Sequence, residues 1–421
     1  MKHVRLGAVA LVAVAALALA GCGRSDTAAD GGSDAPTTIG SEPATGTVTL
    51  WAMGAEGEAL PDFVKTFEDA NPGVKVEVTA IPWDAAYSKI QTAIAGGTTP
   101  DIAMMGSTWM ADFADAFQSV PTDLDTSGSF PGAVGSTKVG DRATGVPWYV
   151  DTRVLYYRTD LAAQAGWTKA PTTWDELSQM AADLQAKAGA KYGIRLPGGN
   201  DSFQGTLWMP WSNGATLEDG SKWTLDTPQM VEAYQYYQSF FQKGIANPSA
   251  DRSSGAQEND FVSGDTPMLI DGPFMIGSLE KVGGAGFSDK FTTAVLPTKE
   301  SSTSFSGGAN LTVFKNSKNA HSAWKLAQWL TDPTTQVQWY EKTGDLPAVQ
   351  AAWKDAALAS QPNLKAFGTQ LETAKSVPAT TTWVQVAAAG DAVLEKVRLG
   401  TQSPADAMKE LQSKADALGV G

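Results

Sequence analysis

Three alternations of strand and helix open the folded part of this chain, and they narrow its architecture more than any other feature. Thr47-Val48-Thr49-Leu50-Trp51-Ala52-Met53 reads as a short strand. Leu60, Phe63, Val64 and Phe67 follow at helical spacing, stopped by Asn71-Pro72-Gly73. Val74 to Ile81 alternates as a strand, and Trp83 to Ala95 predicts a helix with Tyr87, Ile90 and Ile94 on one face and Gly96-Gly97 as its cap. Pro100 to Met105 is a third strand and residues 108–117 a third helix. This alternation predicts an α/β fold with a largely parallel sheet covered by helices. Binding groups in such sheets sit at the carboxyl ends of strands. Those ends are Gly54-Ala55-Glu56-Gly57, Pro82-Trp83-Asp84 and Gly106-Ser107-Thr108-Trp109.

A second constraint is the stretch from Gly145 to Arg158, Val146-Pro147-Trp148-Tyr149-Val150-Asp151-Thr152-Arg153 and onward. Tyr149, Asp151 and Arg153 lie at period two, so in an extended segment they share one face. A polar, aromatic face on so apolar a strand suits a crossover between two lobes, with that face lining a cleft. The alternative is an ordinary strand with a half-exposed face.

The N-terminus is a targeting segment. Lys2, His3 and Arg5 precede an apolar run from Leu6 to Ala20, too short for a comfortable membrane span. The run ends Leu19-Ala20-Gly21-Cys22, which resembles the lipobox of bacterial lipoproteins, and Cys22 is the only cysteine in the chain. Residues 1–21 are then a lipoprotein signal peptide, with Cys22 the lipidated residue. The polar stretch 22–46, with Ile39 its one large apolar residue, is a flexible tether. Cleavage removes Lys2 and Arg5, leaving 29 basic against 45 acidic side chains, a net charge of −16. That disfavours nucleic acid and anionic membrane surfaces as partners.

Much chemistry is excluded by the inventory. His321 is the only mature histidine and opens a helical pattern, so a Ser-His-Asp or Cys-His site would have to be built around it, and no nucleophile motif lies near. Zinc sites of the Cys/His type cannot form, and no metal is expected. No phosphate-binding loop or dinucleotide fingerprint is present, and no cofactor is expected.

Beyond the crossover, Thr173 and Glu176 form a capping box at a helix start. Trp208-Met209-Pro210-Trp211-Ser212-Asn213-Gly214 reads as a Trp-rich loop or helix end, and Asp226 to Lys243 as a long helix. Thr266 to Phe274 is a strand running into a Gly-Pro turn, residues 291–296 and 310–314 are further strands, and the last helix has Ser403 as N-cap with Pro404 at its first position.

Several of these segments, in order along nearly the whole mature chain, resemble the extracellular solute-binding proteins of bacterial ABC importers, the carbohydrate branch similar to maltose-binding protein. They are the lipobox, Val48-Thr49-Leu50-Trp51, Phe63 to Val78, Gly96 to Ile102, the crossover, Pro171 to Glu176, Asp271-Gly272-Pro273-Phe274, Leu296-Pro297, Gly307-Gly308 and Leu346-Pro347. The resemblance implies a two-lobed, periplasmic-binding-protein-like fold with discontinuous lobes, 47–149 with 303–343 and 150–302 with 344–421, hinged around a ligand cleft. It also implies an ABC transporter permease as partner, an oligosaccharide ligand, no catalysis, a monomer, and a lipid-anchored place on the extracytoplasmic face of the bacterial membrane.

A pyranose has an apolar C–H face and a rim of hydroxyls, so its site needs aromatic platforms with paired acceptors and donors. The positions that the family uses carry Glu56, Ser107-Thr108-Trp109, Tyr149 with Asp151, Phe274 and Trp383 here, and Gly308 and Asn310 are further candidates. Arg153 would donate or pin Asp151, while Trp83, Trp208 and Trp211 join Phe274 and Trp383 as stacking candidates. Trp51, Trp148, Trp174, Trp324, Trp329 and Trp339 are assigned to cores. The expected ligand is an α-glucoside such as maltose, maltodextrin or trehalose. The rivals are a binder of another small solute, such as a polyol or glycerol-phosphate, and a carboxylate-dyad glycoside hydrolase, which needs two carboxyl groups roughly 5–10 Å apart.

Overall fold

Residues 38–421 are described by a computed structural model. The signal segment, Cys22 and the tether as far as residue 37 lie outside the described residues. The strands that position the site are β1 (Gly46–Met53), β2 (Val74–Ile81), β3 (Ile102–Gly106), β4 (Val146–Thr152), β5 (Val154–Arg158), β6 (Met268–Asp271), β7 (Phe291–Ala294), β8 (Ser306–Val313) and β9 (Leu346–Pro347). They form a six-stranded sheet in the order β9-β4-β8-β3-β1-β2 and a three-stranded sheet in the order β6-β5-β7. β1 runs parallel to β2 and β3, as the opening alternation predicts. β8 returns antiparallel between β3 and β4, so the parallel character is confined to one side of the sheet.

The helices follow their sequence signals with several revisions, among them the expected third helix, which is broken into the short turns Ser107–Trp109, Met110–Phe113 and Ala114–Ala116. α1 (Gly54–Phe63) starts directly after β1, so Glu56 stands in a first helical turn rather than in a loop. The apolar stripe continues into a separate α2 (Lys65–Ala70), the break falling at Val64. α3 (Trp83–Gly96) is capped by left-handed Gly97. At α4 (Trp174–Ala188) the Thr173 hydroxyl accepts from Glu176 N–H, but the Glu176 carboxylate reaches Thr172 N–H at 2.6 Å rather than the cap residue. Residues 208–212 form a buried helix, α5 (Trp208–Ser212). Farther on lie α6 (Pro228–Gln242), α7 (Phe274–Gly283), α8 (Trp383–Arg398) and α9 (Pro404–Leu418), the last capped by Ser403 as read from the sequence.

Two lobes follow from two cores. One gathers Val48, Leu50, Ile102, Leu311 and Trp324 around the larger sheet; the other gathers Leu177, Tyr234, Tyr237, Phe240, Val393 and Leu411. A third core spans the crossover, with Val150 of β4, Val154 and Tyr156 of β5, Leu269, Leu346 and Phe367. The change of sheet occurs at Arg153, between β4 and β5. There the Ser304 hydroxyl donates to the Arg153 carbonyl at 2.8 Å and accepts from the Arg153 N–H at 3.2 Å. Thr152 Oγ1 donates to the Phe305 carbonyl at 2.7 Å, so two outgoing strands are tied at one point.

The end of the expected tether is not free. Ile39 and Ala44 are buried, the Asp123 carboxylate accepts from Ile39 and Gly40 N–H, and Ser322 bonds Thr45 through both backbone groups. His321, at a helix start as expected, meets the Glu42 carbonyl at 3.0 Å.

Candidate ligand-binding site

Two cavities flank the segment Gly272-Pro273-Phe274 at the end of β6. The first, of about 830 Å³, is lined by Tyr149, Asp151, Phe274, Glu280, Asp345 and their neighbours. The second, of about 660 Å³, is lined by Arg153, Asp271, Phe274 and the loop Leu196 to Ser202. Phe274 is therefore a partition between them, and it is 59% exposed. Only two aromatic rings among the described residues are exposed, Phe274 and Trp83, and each follows the carboxyl end of a strand. A ring left in water gives up roughly 2–3 kcal/mol of burial, so an exposed ring at a strand end is a notable outlay.

The crossover face holds as its period predicts. Tyr149 and Asp151 of β4 are partly exposed between buried neighbours. The Tyr149 hydroxyl donates to Glu56 Oε1 at 2.8 Å, tying the first turn of α1 to β4. Burial, and then the Glu56 charge, hold the Tyr149 pKa well above the ordinary phenol value, so the hydroxyl keeps its proton. Arg153 Nη1 donates to Asp151 Oδ2 at 2.5 Å. Asp151 Oδ1 is buried with no hydrogen-bond partner and faces Gly272, where an added Cβ would come within 2.8 Å of it and of Arg153. Burial raises the pKa of Asp271, opposed by the Arg153 charge, and Gln257 Nε2 donates to its other oxygen. Asp345 accepts from Trp339 Nε1 at 2.8 Å; burial, with the Glu56 charge adding, pushes its pKa up to about 7. Carboxylates with an open oxygen and a fixed donor beside an exposed ring make an arrangement that receives hydroxyl groups. No group of residues able to hold a metal ion occurs among the described residues.

Residues 52–337 match the family model described as bacterial extracellular solute-binding protein. The chain belongs to that family. This solute-binding protein is similar to the sugar-binding protein MalE of Xanthomonas citri, with 31% identity, 89% of this chain and 97% of the other covered, and a TM-score of 0.84. It is also similar to a probable ABC transporter-binding protein of Deinococcus radiodurans, 28% identical over 81% of this chain and 86% of the relative. The galactooligosaccharide-binding protein of Bacillus subtilis is 24% identical over 96% of this chain and 95% of the relative. Membership places the solute-binding protein on the extracytoplasmic side of a bacterial membrane.

The residues singled out from the sequence divide into three groups. Tyr149, Asp151, Arg153 and Phe274 line the two cavities, and Glu56 joins them through Tyr149. Trp83 and Trp109 meet edge to face at 5.7 Å, beside Thr108 in a short 3-10 turn, outside both cavities. The third group is corrected. Trp208, Trp211 and Trp383 are buried in the core of the second lobe, Trp208 against Trp174 and Trp383 against Phe203 and Trp223. Pro210 lies inside a short helix that Asn213 caps, not in an open loop, and the large rings fill the core of this lobe. Gly308 and Asn310 are also structural: Gly308 has φ +112 and no space for a Cβ against the Tyr149 carbonyl, while buried Asn310 donates to Ser136 at 3.1 Å. Asp271, Asp345, Ser304 and the further arginines of the second cavity escaped the sequence reading. Asp271 carried a signal, since it precedes the Gly-Pro turn.

Proposed function

We propose that this solute-binding protein captures an oligosaccharide between its lobes and delivers it, chemically unchanged, to the permease of an ABC importer. The observation that carries the reading is the exposed Phe274 ring at a strand end between two cavities, beside the hydrogen-bonded pairs Glu56–Tyr149 and Asp151–Arg153. A sugar ring covers an aromatic face with its C–H side and meets carboxylates with its hydroxyls. The similarity to MalE supports a sugar, and an α-glucoside such as maltose, maltodextrin or trehalose is the class we favour. In the same reading Cys22 carries the lipid, the protein works as a monomer, and the lobes comprise 47–149 with 303–343 and 150–302 with 344–421. The hinge at Arg153 and Ser304 suits closure about the ligand.

Isothermal titration of the purified protein with mono-, di- and trisaccharides tests this. Binding by one glucoside linkage, with the sugar recovered intact, is the expected result. Failure of every neutral and acidic sugar to bind a folded protein overturns it and reopens polyols and glycerol-phosphate. Asp345, with its pKa near 7, is the carboxyl whose protonation a hydrolase would need, so release of monosaccharide from a bound oligosaccharide would revive that reading.

A further inference from the structure

Four guanidinium groups from four separate segments converge on the second cavity: Arg153, Arg195, Arg252 and Arg398. Only six of the chain's eight arginines fall among the described residues, and no lysine lines this cavity. The cations are thus sorted by type. A guanidinium presents a rigid planar fork that matches acceptor-only groups, whereas an ammonium is a point charge suited to open surface.

Each fork is held at one side. Asp151 holds Arg153, the Asp260 carboxylate and the Asp251 carbonyl hold Arg195, and the two oxygens of Glu395 hold Arg252 at 3.1 Å and Arg398 at 2.5 Å. These partners fix the guanidinium planes without using all of their donors. Arg398 is 6% exposed, and its Nε–H is buried with no hydrogen-bond partner. A buried donor on a cation is costly to leave unmade. The loop that faces these groups is shaped to admit them. Gly199 has φ +85 and its missing Cβ would collide with Arg252, while a Cβ on Gly198 would press on Arg398 Nε at 3.2 Å. The neighbouring Asp201 has φ +60, a conformation that costs a non-glycine residue, and Asp391 holds it by accepting its N–H at 2.8 Å.

Acidic side chains also line the cavity, namely Asp201, Glu258 and Asp271. A sugar hydroxyl both donates and accepts, and carboxylates such as these satisfy it. Four donor-only forks exceed what neutral hydroxyls require and match a group that only accepts. We propose that the second cavity is an anion subsite, so that the solute is a saccharide carrying a carboxylate or a phosphate on one ring. This deepens the oligosaccharide reading and rests on it.

Matched ligand pairs test it on the purified protein by titration calorimetry: trehalose against trehalose 6-phosphate, and maltose against glucuronosyl-glucose of the same linkage. The acidic member of one pair should bind at least about tenfold tighter than its neutral partner. That advantage should shrink as salt rises, and Arg252→Gln, at a half-exposed side chain, should bring the two members level. The pair that responds tells phosphate from carboxylate. Equal or weaker binding of both acidic members overturns the anion subsite and leaves the sugar reading intact. Heat from inorganic phosphate alone, lost in Arg252→Gln and with no sugar bound, supports the subsite and sinks the saccharide. No heat from any of these overturns both.

Discussion

The two cavities share a wall and little else. The first collects Asp151, Glu280, Asp289 and Asp345 against a single Lys281; the second collects four arginines against three carboxylates. Both touch Phe274, and the Asp151–Arg153 pair puts its carboxylate in the first and its guanidinium in the second. In the anion-subsite reading, a solute spanning Phe274 would meet mostly acceptors on one side and the arginine donors, among three carboxylates, on the other. Its orientation would then be set by which of its rings carries the charged group.

The largest effect should come from cutting the pair that joins the cavities. Asp151→Ala leaves Arg153 with its nearest counter-ion gone; because both side chains are about a quarter exposed, the loss should be about 2–3 kcal/mol rather than that of a fully buried pair. Thermal unfolding should show it as a lower melting temperature, with ligand binding lost in both cavities. Asp151→Ala with unchanged stability would mean that the pair is not what links them. Phe274→Ala should leave the melting temperature nearly unmoved, since the ring is exposed, yet weaken sugar binding by about tenfold, near 1.4 kcal/mol. An effect on ligands of only one cavity would break the shared-wall account.

Asp345 sharpens the acidic side. Its pKa in the fold is near 7 against an ordinary 3.8, so between about pH 4 and 7 the folded chain holds a proton that the unfolded chain has released. Stability should therefore fall as pH rises through that window and level off above it. Asp345→Asn should flatten this dependence and gain about 1 kcal/mol at pH 8, read from denaturation curves at several pH values. The smallest effect is expected from Tyr149→Phe, which removes the bond to Glu56 and should weaken binding by about 0.5–1 kcal/mol, with the arginine-lined cavity unaffected.

Local rules made the scaffold legible. The helical stripe at Tyr87, Ile90 and Ile94, the period-two face of Tyr149 and Asp151, and the caps at Thr173 and Ser403 all depend on residues a few positions apart. What stayed hidden depends on distance in the chain. Arg195, Arg252 and Arg398 are ordinary in their own segments and become a group only when three stretches fold onto one loop. Tryptophan misled in the other direction. Trp208, Trp211 and Trp383 have the composition of a sugar platform, but the same large ring fills a core, and Pro210 and Asn213 suit a short helix and its cap as readily as an open loop. Only Phe274, flagged by the Gly-Pro turn, proved to line both cavities.

Arg153 is also the residue that Ser304 grips by both its N–H and its carbonyl. Two bonds from one hydroxyl to one residue hold the backbone at the point where the chain passes from one sheet to the other. The same residue's side chain reaches into the cavity. In the proposed reading, fulcrum and sensor would be separated by a single side chain, so occupancy of the cavity would bear on the hinge directly.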